Sequence, residues 1–213
     1  MSAQPQPKLT PEEYLEIERA AEFKSEYHDG QMYAMPSGTF PHVRSTVNLT
    51  GELYAAIKRC PCQVISSDLR LRASPSGPDI CPDLSVVCGE LKFVEGRQDI
   101  FTNPTLVIEV LSPSTEAYDR GFKASQYRTI ESLQEYALVA QHIPRIEVYR
   151  RQPSGAWLLT DSIGLESTVR FDSIDCALAL SDIYEKITFN PDEALAKAES
   201  LLLQHPPPVR YHS

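Results

Sequence analysis

Apolar positions along this chain switch period several times, and each switch marks an element. Thr10-Pro11-Glu12-Glu13 carries a helix-start signature, with Thr10 as cap, Pro11 in the first turn and Glu13 closing a capping box. Tyr14, Leu15, Ile17 and Ala21 then recur at helical spacing and predict a helix to about residue 24. Asp29-Gly30 signals a tight hairpin, with short strands at 25–28 and 31–35. Residues 36–39 read as a loop. Val43, Val47, Leu53, Tyr54 and Ile57 predict a second helix over 41–59, in which Gly51 costs about 1 kcal/mol.

Beyond residue 60 the pattern turns β-rich. Runs at 63–71 and 80–88 predict strands on either side of a Pro75-Ser76-Gly77-Pro78 turn. Leu106 through Leu111 is apolar on both faces, as a central covered strand is, and Ser112-Pro113-Ser114 stops it. A helix is predicted over 118–130, then strands at 135–140, 145–151 and 156–161. Residues 191–204 read as a further helix with a Leu201-Leu202-Leu203 patch, ended by Pro206-Pro207-Pro208. The sum is an α/β (α+β) chain with a mixed central β-sheet flanked by helices. Its divisions are one domain over 8–188 and a C-terminal helix and Pro-rich tail over 189–213.

Two carboxylates break this pattern. Asp83 lies in Ile80-Cys81-Pro82-Asp83-Leu84-Ser85-Val86-Val87, where alternation puts it on one face with Ser85 and Val87. It is either a paired or metal-bound acid or the exposed start of a strand. Glu109 sits inside Leu106-Val107-Ile108-Glu109-Val110-Leu111. A carboxylate there needs a partner, because burying a bare charge is very costly. That partner is a hard cation, which prefers carboxylate oxygens, or an arginine. On the following helix Asp119, Lys123 and Tyr127 are spaced i, i+4, i+8 and share a face. Lys123 can reach a metal-binding strand from there, or form an ordinary surface pair with Asp119. His42 starts the second helix and reads as a polar cap residue or a solvent-facing ring. Asp79 reads as a turn residue, and the place of Asp68 stays open.

Composition narrows the function. There are 20 basic and 29 acidic residues, a net charge of -9, which counts against a protein that coats long stretches of nucleic acid. It leaves room for an enzyme with a local basic rim, for which Arg120, Arg128, Arg150 and Arg151 are the candidate phosphate contacts. The hydrophobic share of 42% supports a packed core. Five cysteines, an odd number without an apolar leader, argue against a disulfide framework and for a reducing cytoplasm. Cys60 and Cys62 form C-x-C without a second close pair, so they read as buried or incidental rather than zinc ligands. No apolar run is long enough to span a bilayer.

Pro82-Asp83 followed by Glu109-Val110-Leu111 resembles the PD-(D/E)xK nuclease superfamily. The longer series resembles its Uma2-like branch (DUF820), widespread in cyanobacteria. That series comprises Lys24-Ser25-Glu26-Tyr27-His28-Asp29-Gly30, Pro82 to Val87, Glu109 to Thr115, Asp119-Arg120-Gly121-Phe122-Lys123, Tyr127-Arg128, Ser132 to Tyr136 and Tyr149-Arg150-Arg151, over roughly 9–186. The resemblance implies a restriction-endonuclease-like core and a metal-dependent endonuclease. Asp83 and Glu109 would hold Mg²⁺ or Mn²⁺, and Glu26 would belong to the acidic site. The superfamily lysine position is Leu111 here, so the resemblance assigns that role to Lys123. The implied partner is nucleic acid, DNA first among the candidates, with a homodimer suited to cutting two strands. The alternative is a catalytically inactive nuclease-fold protein that binds nucleic acid, regulates or assembles.

Overall fold

The computed structural model describes residues 8–22, 24–34, 38–75 and 77–190. Helix α1 (Pro11–Ala20) has the expected reciprocal cap. The Glu13 N–H donates to Thr10 Oγ1 at 3.2 Å and the Thr10 N–H donates to Glu13 Oε2 at 2.8 Å. It ends about a turn earlier than its apolar spacing suggests, because Ala21 is extended; Tyr14 and Leu15 are buried while Ile17 is exposed. Strands β1 (Ser25–His28) and β2 (Gln31–Ala34) form the hairpin. Asp29 and Gly30 take φ of 47° and 80°, the left-handed pair that a two-residue hairpin of this hand requires. Residues 35–37 of the expected strand end and loop lie outside the described residues.

Helix α2 (Phe40–Ile57) runs through Gly51 and buries Ser45, Leu49, Leu53 and Ile57. Val43, Val47 and Tyr54, expected inside, face outward. The apolar spacing mixed two faces of one helix, and the sheet accepts the face with Leu49.

Both long β-rich runs divide. The first becomes β3 (Cys62–Ser66) and β4 (Arg70–Arg72), the second β5 (Asp79–Ile80) and β6 (Leu84–Cys88). Pro82 has no N–H for a ladder, and the chain changes sheets between β5 and β6. Next come β7 (Ile100–Phe101) and β8 (Leu106–Leu111). A helical stretch follows, built of α3 (Glu116–Tyr118), a π-type turn (Asp119–Lys123) and α4 (Ala124–Tyr127). Strands β9 (Glu135–Ala140), β10 (Arg145–Arg151) and β11 (Trp157–Ile163) match the expected runs closely. The sequence reading lacked β7, β12 (Thr168–Phe171), β13 (Cys176–Ala179) and α5 (Leu180–Ile183). The helix expected over 191–204 lies outside the described residues.

The main sheet has the order β11-β10-β9-β8-β6-β3, with β8 and β9 parallel and the other neighbours antiparallel. A second sheet has the order β2-β1-β5-β4-β7. Leu106, Ile108 and Val110 of β8 share a core with Leu49, Leu53 and Ile57 of α2. Val107 and Leu111 share another with Tyr127 of α4 and with Leu71, Ile80 and Phe101 of the second sheet. Strand β8 is thus covered on both faces, and each fully buried aliphatic side chain contributes about 1.5–3 kcal/mol. Glu109 lies between Val107 and Leu111 on the α4 side. Among the described residues no helix is long and apolar enough to cross a membrane.

One cysteine expectation needs correction. Cys62 and Cys88 lie opposite each other in the β3–β6 register, 3.9 Å apart at Cα, and are joined by a disulfide. The strand register creates this pairing across 26 residues of sequence, which spacing alone did not reveal.

Candidate metal and catalytic site

The site forms where the main sheet forks. Strands β6 and β8 pair from Val86 opposite Leu106 to Leu84 opposite Ile108. One residue further on, side chains replace the ladder. The Val110 N–H donates to Asp83 Oδ2 at 2.7 Å, and the Asp83 N–H donates to Glu109 Oε2 at 3.3 Å. Each carboxylate therefore satisfies a backbone donor that the fork deprives of a strand partner.

The other Glu109 oxygen faces the helical stretch. Oε1 accepts from Lys123 Nζ at 3.0 Å and from the Tyr127 hydroxyl at 2.6 Å. Lys123 Nζ also lies 3.2 Å from Asp119 Oδ1 and 3.4 Å from Glu26 Oε1. Glu26, on β1, is anchored from the second sheet, its Oε1 accepting from the Cys81 N–H at 3.1 Å. From α2, His42 Nε2 lies 3.2 Å from Asp83 Oδ2. The four residues singled out from the sequence, Glu26, Asp83, Glu109 and Lys123, therefore converge from four elements. Asp119 and Tyr127 join them from the helical stretch, and His42 from α2.

The π-type turn makes this possible. The Ala124 N–H reaches back to the Asp119 carbonyl, which also accepts from the Tyr136 hydroxyl at 3.0 Å. The wide turn buries both Asp119 and Lys123, and such turns recur at functional sites. Asp119 had read as half of a surface pair; at 2% exposure it belongs to the site. The signal available in the sequence was three polar residues on one helix face soon after an otherwise apolar strand that carries Glu109.

The electrostatics follow from packing several carboxylates around one ammonium. Burial pushes the Glu109 carboxyl well above the usual range; Lys123 pulls it down, and Asp119 and Asp83 push it up further. Asp119 is raised for the same first reason, burial. Burial alone would lower the Lys123 ammonium, but Glu109, Glu26, Asp119 and Asp83 outweigh it and hold Lys123 firmly cationic. The Asp83 carboxylate raises His42 against the effect of burial.

A cleft of about 220 Å³ opens over Asp83, Glu109, Asp119 and Lys123, walled by His42 and the turn at 112–115. A larger hollow of about 740 Å³ lies beside Lys8, Tyr27 and Arg72, but none of the converging acids lines it, and the smaller cleft is the one onto which Asp83, Glu109 and Asp119 open. The donors fit a hard divalent cation. They are carboxylate oxygens, and Asp119 Oδ1 is buried with an ion pair but no aligned hydrogen bond. Asp83 and Glu109 are the residues that would hold such an ion, with waters completing its shell.

Several sequence readings change. Arg120 pairs with Glu116 and Glu147, and Arg150 with Glu135 and Asp172. Arg151 donates to the carbonyls of Leu133, Arg128 and Ile130. All three arginines are engaged by partners within the fold. Asp79 is no turn residue but a fully buried strand residue held by Arg72 at 2.6 and 2.7 Å. Asp68 is exposed and paired with Lys24, away from the cleft.

The chain is similar to several known proteins. Two uncharacterized proteins of Synechocystis sp. are similar to the chain. One is 38% identical over 185 residues, covering 87% of this chain and 96% of the relative. The other is 37% identical over 163 residues, covering 76% and 92%. The crystal structure of a putative nuclease belonging to DUF820 from Anabaena variabilis superposes with a TM-score of 0.68 at 19% identity, over 83% of this chain and 98% of that one, and so shares the fold. The family model described as "Putative restriction endonuclease" matches residues 11–181, a span that includes every residue of the cleft, and the chain therefore belongs to the Uma2 family.

Proposed function

We propose that this chain is a metal-dependent endonuclease that hydrolyses phosphodiester bonds in nucleic acid, with DNA the first substrate to test and residues 8–188 the catalytic unit. The observation that carries this reading is the meeting of Asp83, Glu109 and Lys123 at one cleft, with Glu26 against Lys123 behind it. Asp83 and Glu109 would hold Mg²⁺ or Mn²⁺, which when bound lowers the pKa of a water and neutralises phosphate charge. The backbone N–H groups of Val110 and Asp83 fix the two carboxylates in advance. Lys123 orients the attacking water and stabilises negative charge developing on the phosphate. Glu26 steadies Lys123 from the side of the second sheet, and His42 steadies Asp83. A homodimer would bring two such sites to the two strands of a duplex.

The test is cleavage of end-labelled duplex DNA, single-stranded DNA and RNA in Mg²⁺, Mn²⁺ or a chelator. Wild type would be compared with Asp83→Asn, Glu109→Gln and Lys123→Met. Cleavage should need the cation and fall by about 10²-fold or more in each variant. Wild-type rates in Glu109→Gln would remove the site assignment. One observation favours a second reading, a catalytically inactive nuclease-fold protein acting in binding, regulation or assembly. Arg120, Arg150 and Arg151 are engaged by partners within the fold, and the basic side chains lining the cleft are Lys123 and His42. Cation binding without cleavage of any nucleic acid would select that reading.

A further inference from the structure

Three carboxylate oxygens surround one ammonium. Lys123 Nζ stands 3.0 Å from Glu109 Oε1, 3.2 Å from Asp119 Oδ1 and 3.4 Å from Glu26 Oε1, and its side chain is 7% exposed. The Tyr118 ring covers it with a centroid 5.7 Å from Nζ. Among the described residues no set of three or more His, Cys, Asp or Glu side chains is disposed to cage a metal ion. The carboxylate oxygens converge instead on the lysine nitrogen.

Glu109 has little to spare. Its Oε2 accepts from the Asp83 backbone, and its Oε1 is shared by Lys123 and Tyr127. A second cation on the same carboxylate would meet like-charge repulsion in a poorly solvated site. Of the two Oε1 donors, Tyr127 is fixed in the core at 0% exposure. Lys123 has Asp119 and Glu26 to retain it when Glu109 turns elsewhere.

We infer that Lys123 is the resident counter-ion of the acidic cluster, and that a divalent cation binds Glu109 in exchange for the lysine's contact with that carboxylate. The inference rests on the reading of Asp83 and Glu109 as cation ligands. Its consequence is an order of events: the lysine gives up Glu109 and rests on Asp119 and Glu26 only once the cation is in place.

Two measurements test this. Mn²⁺ is titrated calorimetrically into wild type and Lys123→Met, and wild type is crystallised with and without Mn²⁺ to read the distance from Lys123 Nζ to Glu109 Oε1. Lys123→Met should bind Mn²⁺ about tenfold more tightly or better, since the competitor is gone. With Mn²⁺ bound to wild type, Lys123 Nζ should leave hydrogen-bond reach of Glu109 Oε1 while keeping Asp119 and Glu26. Bound Mn²⁺ with the Lys123–Glu109 contact intact would mean simple through-space repulsion and would overturn the exchange alone, as would equal or weaker binding by Lys123→Met. If Lys123→Met does not fold, the wild-type structures decide alone. Mn²⁺ binding to neither protein would remove the hydrolase reading together with the exchange.

Discussion

Replacing Tyr127 by Phe isolates one hydrogen bond at the centre of the site. The ring is fully buried between Leu111, Leu133 and Tyr136, and Phe keeps that packing, so the cavity contribution is small. What disappears is a 2.6 Å bond from the hydroxyl to Glu109 Oε1. Burial favours the neutral Glu109 carboxyl, and the Lys123 ammonium 3.0 Å away opposes it and favours the ionised form on which the counter-ion account rests. A hydrogen bond to a charged group is worth about 1.5–3 kcal/mol, against about 0.5–1.5 kcal/mol for a neutral one. Tyr136→Phe supplies the internal standard, since its hydroxyl donates to the Asp119 carbonyl, a neutral acceptor, at 3.0 Å. Urea unfolding at pH 7.5 should therefore rank Tyr127→Phe as the more costly substitution. By the usual scaling for chains of about 200 residues, its melting temperature should fall by about 3–12 °C. If Tyr127→Phe costs no more than Tyr136→Phe, Glu109 is not a charged acceptor in the folded protein, and the account of Lys123 as its counter-ion fails with it.

Arg151→Ala should destabilise the fold by about 2–3 kcal/mol, because its guanidinium serves the carbonyls of Leu133, Arg128 and Ile130 and stacks 4.6 Å from the Trp157 ring. The salt dependence of DNA binding should not change, which a titration at several ionic strengths checks. Gly51→Ala should stabilise by about 0.5–1 kcal/mol, since the position is helical and a Cβ there meets nothing within 4 Å. Thermal melting reads the sign. Burial pushes the Cys81 thiol up to about 12, so it stays protonated at pH 8. Its raised value adds stability that is complete below the unfolded pKa and is lost as pH rises toward about 12. Iodoacetamide on the native protein at pH 8 should label the exposed Cys60 and spare the buried Cys81, as peptide mapping would reveal.

The sequence made the central strand legible because Leu106 to Leu111 is buried on both faces, and nothing competes with that pattern. It made Asp83 and Glu109 conspicuous for the same reason: charge in an apolar run demands a partner. What it hid depends on register and on which face packs. Val43, Val47 and Tyr54 have the spacing of a core face, yet the sheet takes the neighbouring one, a choice made by tertiary contact. Asp79 looked like a turn residue beside Pro78 because its partner Arg72 is on another strand. The Cys62–Cys88 pairing depends on strand register in the same way. Asp119 was hidden by the π-type turn, whose i→i+5 bond turns an apparent surface pair inward, a feature that apolar periodicity does not encode.

The fork between β6 and β8 bears on what the motif itself can testify to. The two acids close the gap left where the ladder ends, each taking a backbone N–H that would otherwise be buried without an acceptor. Truncating either to alanine therefore injures the scaffold as well as the chemistry, and lost activity in such a variant has two causes; amide or isosteric replacements separate them. The same reasoning extends to descent. A lineage that no longer cut anything would still be under pressure to keep both acids, because two backbone donors at the fork would lose their acceptors without them. Their presence in a related chain is thus evidence of shared architecture first, and the state of the lysine that faces them is the more informative sign of an enzyme still at work.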